Sequence, residues 1–150
     1  MKKYILIAGI VLIITLVIIQ FIPIKKNTIR EVPSTDFVNM YNVSDSIQHI
    51  LRVTCYDCHS NNTRYPWYSK IQPVGWYLQN HINNAKDELN FSEFGSYSSR
   101  RKDHKIQEII DQVREGDMPL TSYKLIHKDA RLSAADKKKL IDFMETLQSK

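Results

Sequence analysis

From Tyr4 to Ile22 the chain reads YILIAGIVLIITLVIIQFI, nineteen residues without a charge, in which Thr15 and Gln20 are the clearly polar side chains. A helix rises about 1.5 Å per residue, so this run is just long enough to cross a hydrocarbon layer about 30 Å thick. A surface helix of a soluble domain keeps a polar stripe, and none is present here. The pattern predicts a transmembrane helix. Lys2 and Lys3 precede it, and QFIPIKK closes it. The apolar run exceeds the about 7–15 residues of a signal-peptide core, and bulky basic residues follow where a small-residue cleavage site would stand. The expectation is an uncleaved signal anchor over residues 1–24.

Beyond the anchor the apolar spacing changes. Residues 25–42 show no periodicity and read as a linker. From Val43 the period becomes helical: Ser44 is a candidate N-cap, and Ile47, Ile50, Leu51 and Thr54 recur at three- and four-residue steps. This helix is expected to run directly into Cys55–His59. SNNTRYPWYSKIQP reads as a loop, followed by a helix from Val74 to about Leu89 with Trp76, Tyr77, Leu78 and Ile82 facing inward. NFSEFGSYSS reads as a second loop. Ser98 or Ser99 caps a third helix with an apolar stripe of Ile106, Ile109, Ile110 and Val113, ended by Gly116. A short helical turn is expected after Thr121. The final helix carries a capping-box pattern, Ser133 with Asp136, and an inner face of Leu140, Ile141, Met144 and Leu147. No alternating strand pattern and no repeat occur. The fold class is therefore an all-α domain over 43–150, preceded by one transmembrane helix.

Charge changes this picture little. The net charge of +5 comes entirely from residues 1–30, which hold five basic groups and no acidic one; the remainder carries sixteen of each sign. The excess is juxtamembrane, where it meets lipid headgroups. Nothing points to nucleic acid. Lysines flank both ends of the anchor, so charge alone leaves its orientation open.

The candidate chemistry is concentrated in CYDCHS, residues 55–60, which contains both cysteines of the chain. A redox C-x-x-C needs a strand delivering the first cysteine to a helix N-terminus, and no strand precedes it. Structural zinc needs four ligands; no second cysteine pair exists, and His49, His81, His104 and His127 lack the usual zinc spacing. C-x-x-C-H fits covalent haem attachment. Positions i and i+3 of a helical turn share a face, so two sulfurs reach the two vinyl groups along one porphyrin edge. His59 is then carried under the iron. One covalently bound haem c is the expected cofactor, and its attachment outside the cytoplasmic membrane requires the domain to be translocated.

The opposite iron position separates a carrier from an enzyme. Met144 lies on the apolar face of the last helix and reads as core. Met40 falls in the linker, His104 and His127 sit among charges, and His49 shares the motif's own helix. His81 is a candidate, and Met118 is the preferred one: EGDMPL places it in an irregular segment between two helices, where a thioether approaches iron free of helix backbone. Tyr65, Pro66, Trp67, Tyr68 and Trp76 are expected to wall the haem, with Arg64 neutralising a propionate.

The order Cys55–His59, loop, Met118-Pro119 between two C-terminal helices resembles the class I cytochrome c plan. CYDCHSNNTRYPWYSKIQPVGWYLQNHI, LNFSEF and MPLTSYKLIHKDARLS, with the IQFIP end of the anchor, resemble a bacterial family called the haem-binding domain. The resemblance implies attachment at Cys55 and Cys58, His59 as proximal ligand and Met118 as distal ligand. It implies no substrate or partner. Two functions follow as expectations. One is an electron carrier, tethered to the inner membrane and serving membrane or periplasmic redox proteins on the periplasmic side. The other is a haem enzyme or sensor with an open distal site for peroxide or a diatomic gas. The domain serving as one haem module of a larger complex is a third. No constellation of carboxylates or nucleophiles suggests acid–base or covalent catalysis.

Overall fold

The computed structural model describes residues 1–29 and 31–148. Among them eight α-helices occur in the order α1 (Lys2–Ile19), α2 (Phe37–Tyr41), α3 (Asp45–Thr54), α4 (Tyr56–His59), α5 (Val74–Glu88), α6 (Ser99–Glu115), α7 (Thr121–Ile126) and α8 (Ala134–Gln148). Short 3-10 turns cover Trp67–Lys70, Phe91–Ser96 and Lys128–Ala130. No strand is formed among the described residues; Thr28 and Asn62 make an isolated antiparallel bridge. The all-α expectation holds. α1 is apolar throughout and buries no residue against the rest of the chain.

The longer amphipathic helices of the domain lie where periodicity placed them, and α3 and α6 bury the stripes their sequences carry. α3 buries Ile47, Ile50, Leu51 and Thr54, and α6 buries Ile106, Ile109, Ile110 and Val113. Ser98 Oγ accepts from the Arg101 amide at 3.4 Å, and Gly116 ends α6 at φ +88°, a conformation that glycine enters without a Cβ penalty. Before α8, Ser133 Oγ accepts from the Asp136 amide at 3.1 Å and donates to Asp136 Oδ2 at 2.7 Å. Leu140 and Met144 are fully buried, so Met144 is a core residue. α6 packs along α8, and α3 leans on α8.

Four expectations change. The first concerns residues 25–42, read as a linker. Asp36 caps α2 by accepting from the Val38 amide at 3.0 Å, and Phe37 is wholly buried in an aromatic cluster. Its ring lies 5.4 Å from Phe91, 5.0 Å from Phe94 and 4.9 Å from Tyr41. Upstream, Asn27 Nδ2 donates to the Ser60 carbonyl at 2.7 Å and Lys86 Nζ donates to Asn27 Oδ1 at 2.7 Å. The described residues around Asn27 and Asp36–Tyr41 therefore belong to the globular body, and single aromatics without periodic neighbours concealed them. The second is NFSEFGSYSS, read as a loop: its turn inserts Phe91 and Phe94 into the core. The third is the continuity of α3 and α4, which break at Cys55 (φ −122°). The fourth is Tyr77, expected inside and found 71% exposed.

If residues 25–42 are structural, Phe37→Ala costs about 3–5 kcal/mol, the range for emptying a buried aromatic site. Guanidinium unfolding followed by far-ultraviolet circular dichroism measures it. A cost within about 0.5 kcal/mol, typical of surface changes, returns the segment to the status of a tether.

Candidate functional site

The break at Cys55 makes the motif a separate turn. The Cys55 carbonyl accepts from the amides of Cys58 at 3.1 Å and His59 at 2.9 Å, closing one turn that places the two sulfurs three residues apart and His59 at its end. Both thiols are free. Burial pushes each of them up to about 11, so both are neutral near pH 7. Thr54 Oγ1 donates to the Ile50 carbonyl at 2.7 Å, so its contact with Cys55 Sγ at 3.1 Å has the thiol as donor. A redox dithiol needs the opposite shift, toward thiolate.

His59 Nδ1 lies 2.9 Å from the Ala85 carbonyl and 3.0 Å from the Leu89 carbonyl, both at the end of α5. Two acceptors fix the hydrogen on Nδ1. Nε2 makes no hydrogen bond to a described residue and keeps its lone pair. Burial holds the imidazole below its ordinary value, and the two carbonyls oppose that shift less strongly. A neutral ring with Nδ1–H directed at backbone carbonyls is the arrangement found behind metal-ligating histidines.

His59 opens onto two adjoining cavities of about 280 and 270 Å³, both lined also by Thr54, Glu88 and Met118. Cys55 lines the first, with Leu89, Phe91, Ile109 and Val113 from the core side. Cys58 lines the second, with His81, Ala85, Pro119, Leu120 and Tyr123. The walls are largely apolar and the combined space falls in the about 300–1,000 Å³ range of cofactor sites. The residues present fit a flat macrocycle held at one edge by two sulfurs. At the mouth, Lys105 is only 12% exposed, pairing with Glu108 at 2.6 Å and Glu88 at 3.5 Å. These three were not anticipated; the i, i+3 spacing of Lys105 and Glu108 was the available signal.

Thus Cys55, Cys58, His59 and Met118 are brought together, and His81 stands at the rim of the second cavity. Arg64, Trp67 and Trp76 line neither. Arg64, 61% exposed, is paired instead with Asp57, Nε to Oδ1 at 3.1 Å. Trp67 is 74% exposed. Trp76 is half-buried, and its amide donates to Gln72 Oε1 at 3.0 Å. Tyr65 bridges the Asn27 amide at 2.7 Å and Gln79 Oε1 at 2.6 Å, a structural place. His127, expected in solvent, stacks on Tyr123 at 4.2 Å and meets the Tyr68 hydroxyl at 3.3 Å.

Asp57, inside the motif, is the feature that sequence reasoning missed. Buried, it accepts from the Arg64 amide at 3.2 Å, from the Arg64 side chain, and from the Tyr123 hydroxyl at 2.8 Å. Tyr123 lies on α7, directly after Met118-Pro119. The carboxylate therefore ties the motif turn to the segment carrying Met118.

Comparison with known proteins adds one finding. A family model described as a haem-binding domain matches residues 14–146. No curated protein and no solved structure matches the chain.

The Asp57 tie is measurable. Tyr123→Phe costs about 1.5 kcal/mol, the value of a hydrogen bond to a charged group. In a double-mutant cycle with Asp57→Asn, the coupling reaches about 1 kcal/mol, as expected for residues in contact. Strictly additive losses place the two in separate environments.

Proposed function

Since the chain belongs to the haem-binding domain family, we propose that it is a membrane-tethered c-type monohaem protein that carries single electrons on the extracytoplasmic side. The observation carrying this reading is His59: neutral, its Nδ1–H held by Ala85 and Leu89, its Nε2 free beside two cavities that Met118 also lines.

A haem held there would supply an iron able to cycle between Fe(III) and Fe(II), the chemistry of single-electron carriage. The chain's own residues set the conditions. Cys55 and Cys58 hold the porphyrin edge through thioethers, so the cofactor stays with the domain. His59 presents Nε2 to the metal, and the α5 carbonyls prevent its ring from turning. Met118, which lines both cavities, would offer a thioether sulfur to the same iron, a ligand that raises the potential relative to a second histidine. Leu89, Phe91, Ile109 and Val113 keep water from one side. With His59 and Met118 both holding the iron, the site would leave no place at the metal for a substrate.

The membrane side of the proposal is supported by α1, which is long and apolar enough to span a bilayer. Thioether formation outside the cytoplasmic membrane places the domain there, with Lys2 and Lys3 in the cytoplasm. A short connection from α1 to the body keeps the carrier close to membrane-bound partners. A second reading, an open distal site acting on peroxide or a diatomic gas, draws support from His81 at the rim of the second cavity.

An oxidised iron bonded to methionine absorbs weakly in the far red. That band is expected in the wild type, lost in Met118→Ala and kept in His81→Ala. Persistence of the band in Met118→Ala, or carbon monoxide binding by the untreated reduced wild type, favours the second reading.

A further inference from the structure

The aromatic loop that does not wall the cavities has another place. Trp67 and Tyr77 are 74% and 71% exposed, and Ile71 and Val74 are 46% and 44% exposed. Val74 and Tyr77 lie three residues apart in the first turn of α5 and so share a face, and Ile71, its backbone extended, precedes them just before the helix. The turn bearing Trp67 is locked against α5: a Cβ at Gly75 would overlap the Ser69 carbonyl oxygen. Large apolar side chains gathered on an exposed surface mark an interaction site.

Three hydrogen bonds fix this patch next to the end of α1. Gln20 Nε2 donates to the Gln72 carbonyl at 3.0 Å, the Gln72 amide donates to Gln20 Oε1 at 2.9 Å, and Gln72 Nε2 donates to the Ile22 carbonyl at 3.4 Å. Gln72 lies between Ile71 and Val74, so the patch begins where the apolar helix ends. Charge agrees. Residues 58–86 contain no acidic side chain, although the chain beyond residue 30 balances its charges. Lys25, Lys26 and Lys70 are exposed beside the clasp, and Lys26 Nζ lies 5.6 Å from the Tyr65 ring centroid.

We infer that the face formed by Trp67, Ile71, Val74 and Tyr77 lies on the bilayer that α1 crosses, with the two aromatic rings at headgroup level and the lysines on anionic headgroups. The inference rests on the transmembrane reading of α1 and adds a second, interfacial contact made by the folded domain. Tryptophan and tyrosine favour that depth because each ring joins an apolar body to a polar tip. Each basic residue near an anionic surface adds attraction to it. The orientation has a consequence for the site. Tyr77 packs on His81, ring centroids 5.5 Å apart, and His81 lines the second cavity. From Val74 to His81 the helix advances roughly 10 Å. The cavity mouth is thereby held near the membrane surface, within reach of partners embedded in it.

Spin labelling of the full-length holoprotein in vesicles of phosphatidylethanolamine and phosphatidylglycerol tests this. Cys55 and Cys58 are consumed by thioethers, so Trp67→Cys, Tyr77→Cys, Ile13→Cys and Lys138→Cys each offer one label site. Electron paramagnetic resonance saturation compares the accessibility of each label to oxygen and to a water-soluble nickel complex. Position 13 should report the bilayer interior, 138 bulk water, and 67 and 77 an intermediate depth that moves toward water when phosphatidylglycerol is omitted. Labels at 67 and 77 as nickel-accessible as 138, with 13 still embedded, overturn the interfacial contact and leave the anchor standing. Water accessibility at 13 as well removes the anchor and the contact together.

Discussion

The carbonyls of Ala85 and Leu89, both within 3.0 Å of His59 Nδ1, close the last turn of α5 and orient the imidazole of a different element. The last carbonyls of a helix have no partner further along it. The Ala85 carbonyl already accepts from the Leu89 amide at 2.9 Å, and the ring N–H shares it. Burial keeps the ring uncharged, and the hydrogen on Nδ1 leaves the Nε2 lone pair available. Position and tautomer thus follow from one contact, and the charge state from burial. Without that contact, a histidine on a four-residue turn has little to hold its ring.

That contact propagates through packing. The edge of His59 meets Phe91 at 6.5 Å and 83°, Phe91 stacks on Tyr56 at 5.1 Å, and Phe37 closes the cluster from α2. The Tyr56 hydroxyl donates to Asp36 at 2.8 Å, the same carboxylate that caps α2. Of the two central residues of C-x-x-C, one therefore ties the turn to the N-terminal segment. The other, Asp57, ties it through Tyr123 to the C-terminal segment bearing Met118. The motif sits at a junction of both halves of the domain, which is how a single turn of helix becomes rigid.

What the sequence disclosed follows a physical division. The amphipathic helices α3, α5, α6 and α8 were legible because a 3.6-residue period buries a continuous stripe, and Gly116 and Ser133 mark their ends chemically. Cys55, Cys58 and His59 were legible as a unit because their spacing is that of one helical turn, and the structure closes them into one. Phe37, Phe91 and Phe94 were not, since short segments anchored by one or two aromatics carry no period. Asp57, Arg64 and Tyr123 were hidden for a different reason: they are distant in sequence, and a polar side chain between two cysteines gives no sign of its partner. Trp67 and Trp76 misled because aromatic richness accompanies buried and exposed positions alike: Trp67 is exposed, Trp76 is half-buried, and neither lines a cavity.

Two half-buried neutral thiols and one oriented imidazole form the proposed haem-attachment site. The most direct measurement is the intact mass of protein purified from cells with working haem-attachment machinery, after acid–acetone extraction. The predicted mass exceeds that of the polypeptide by one haem, and the excess disappears when Cys55 and Cys58 are both replaced by serine. An extracted wild-type protein weighing no more than its bare polypeptide contradicts the central claim.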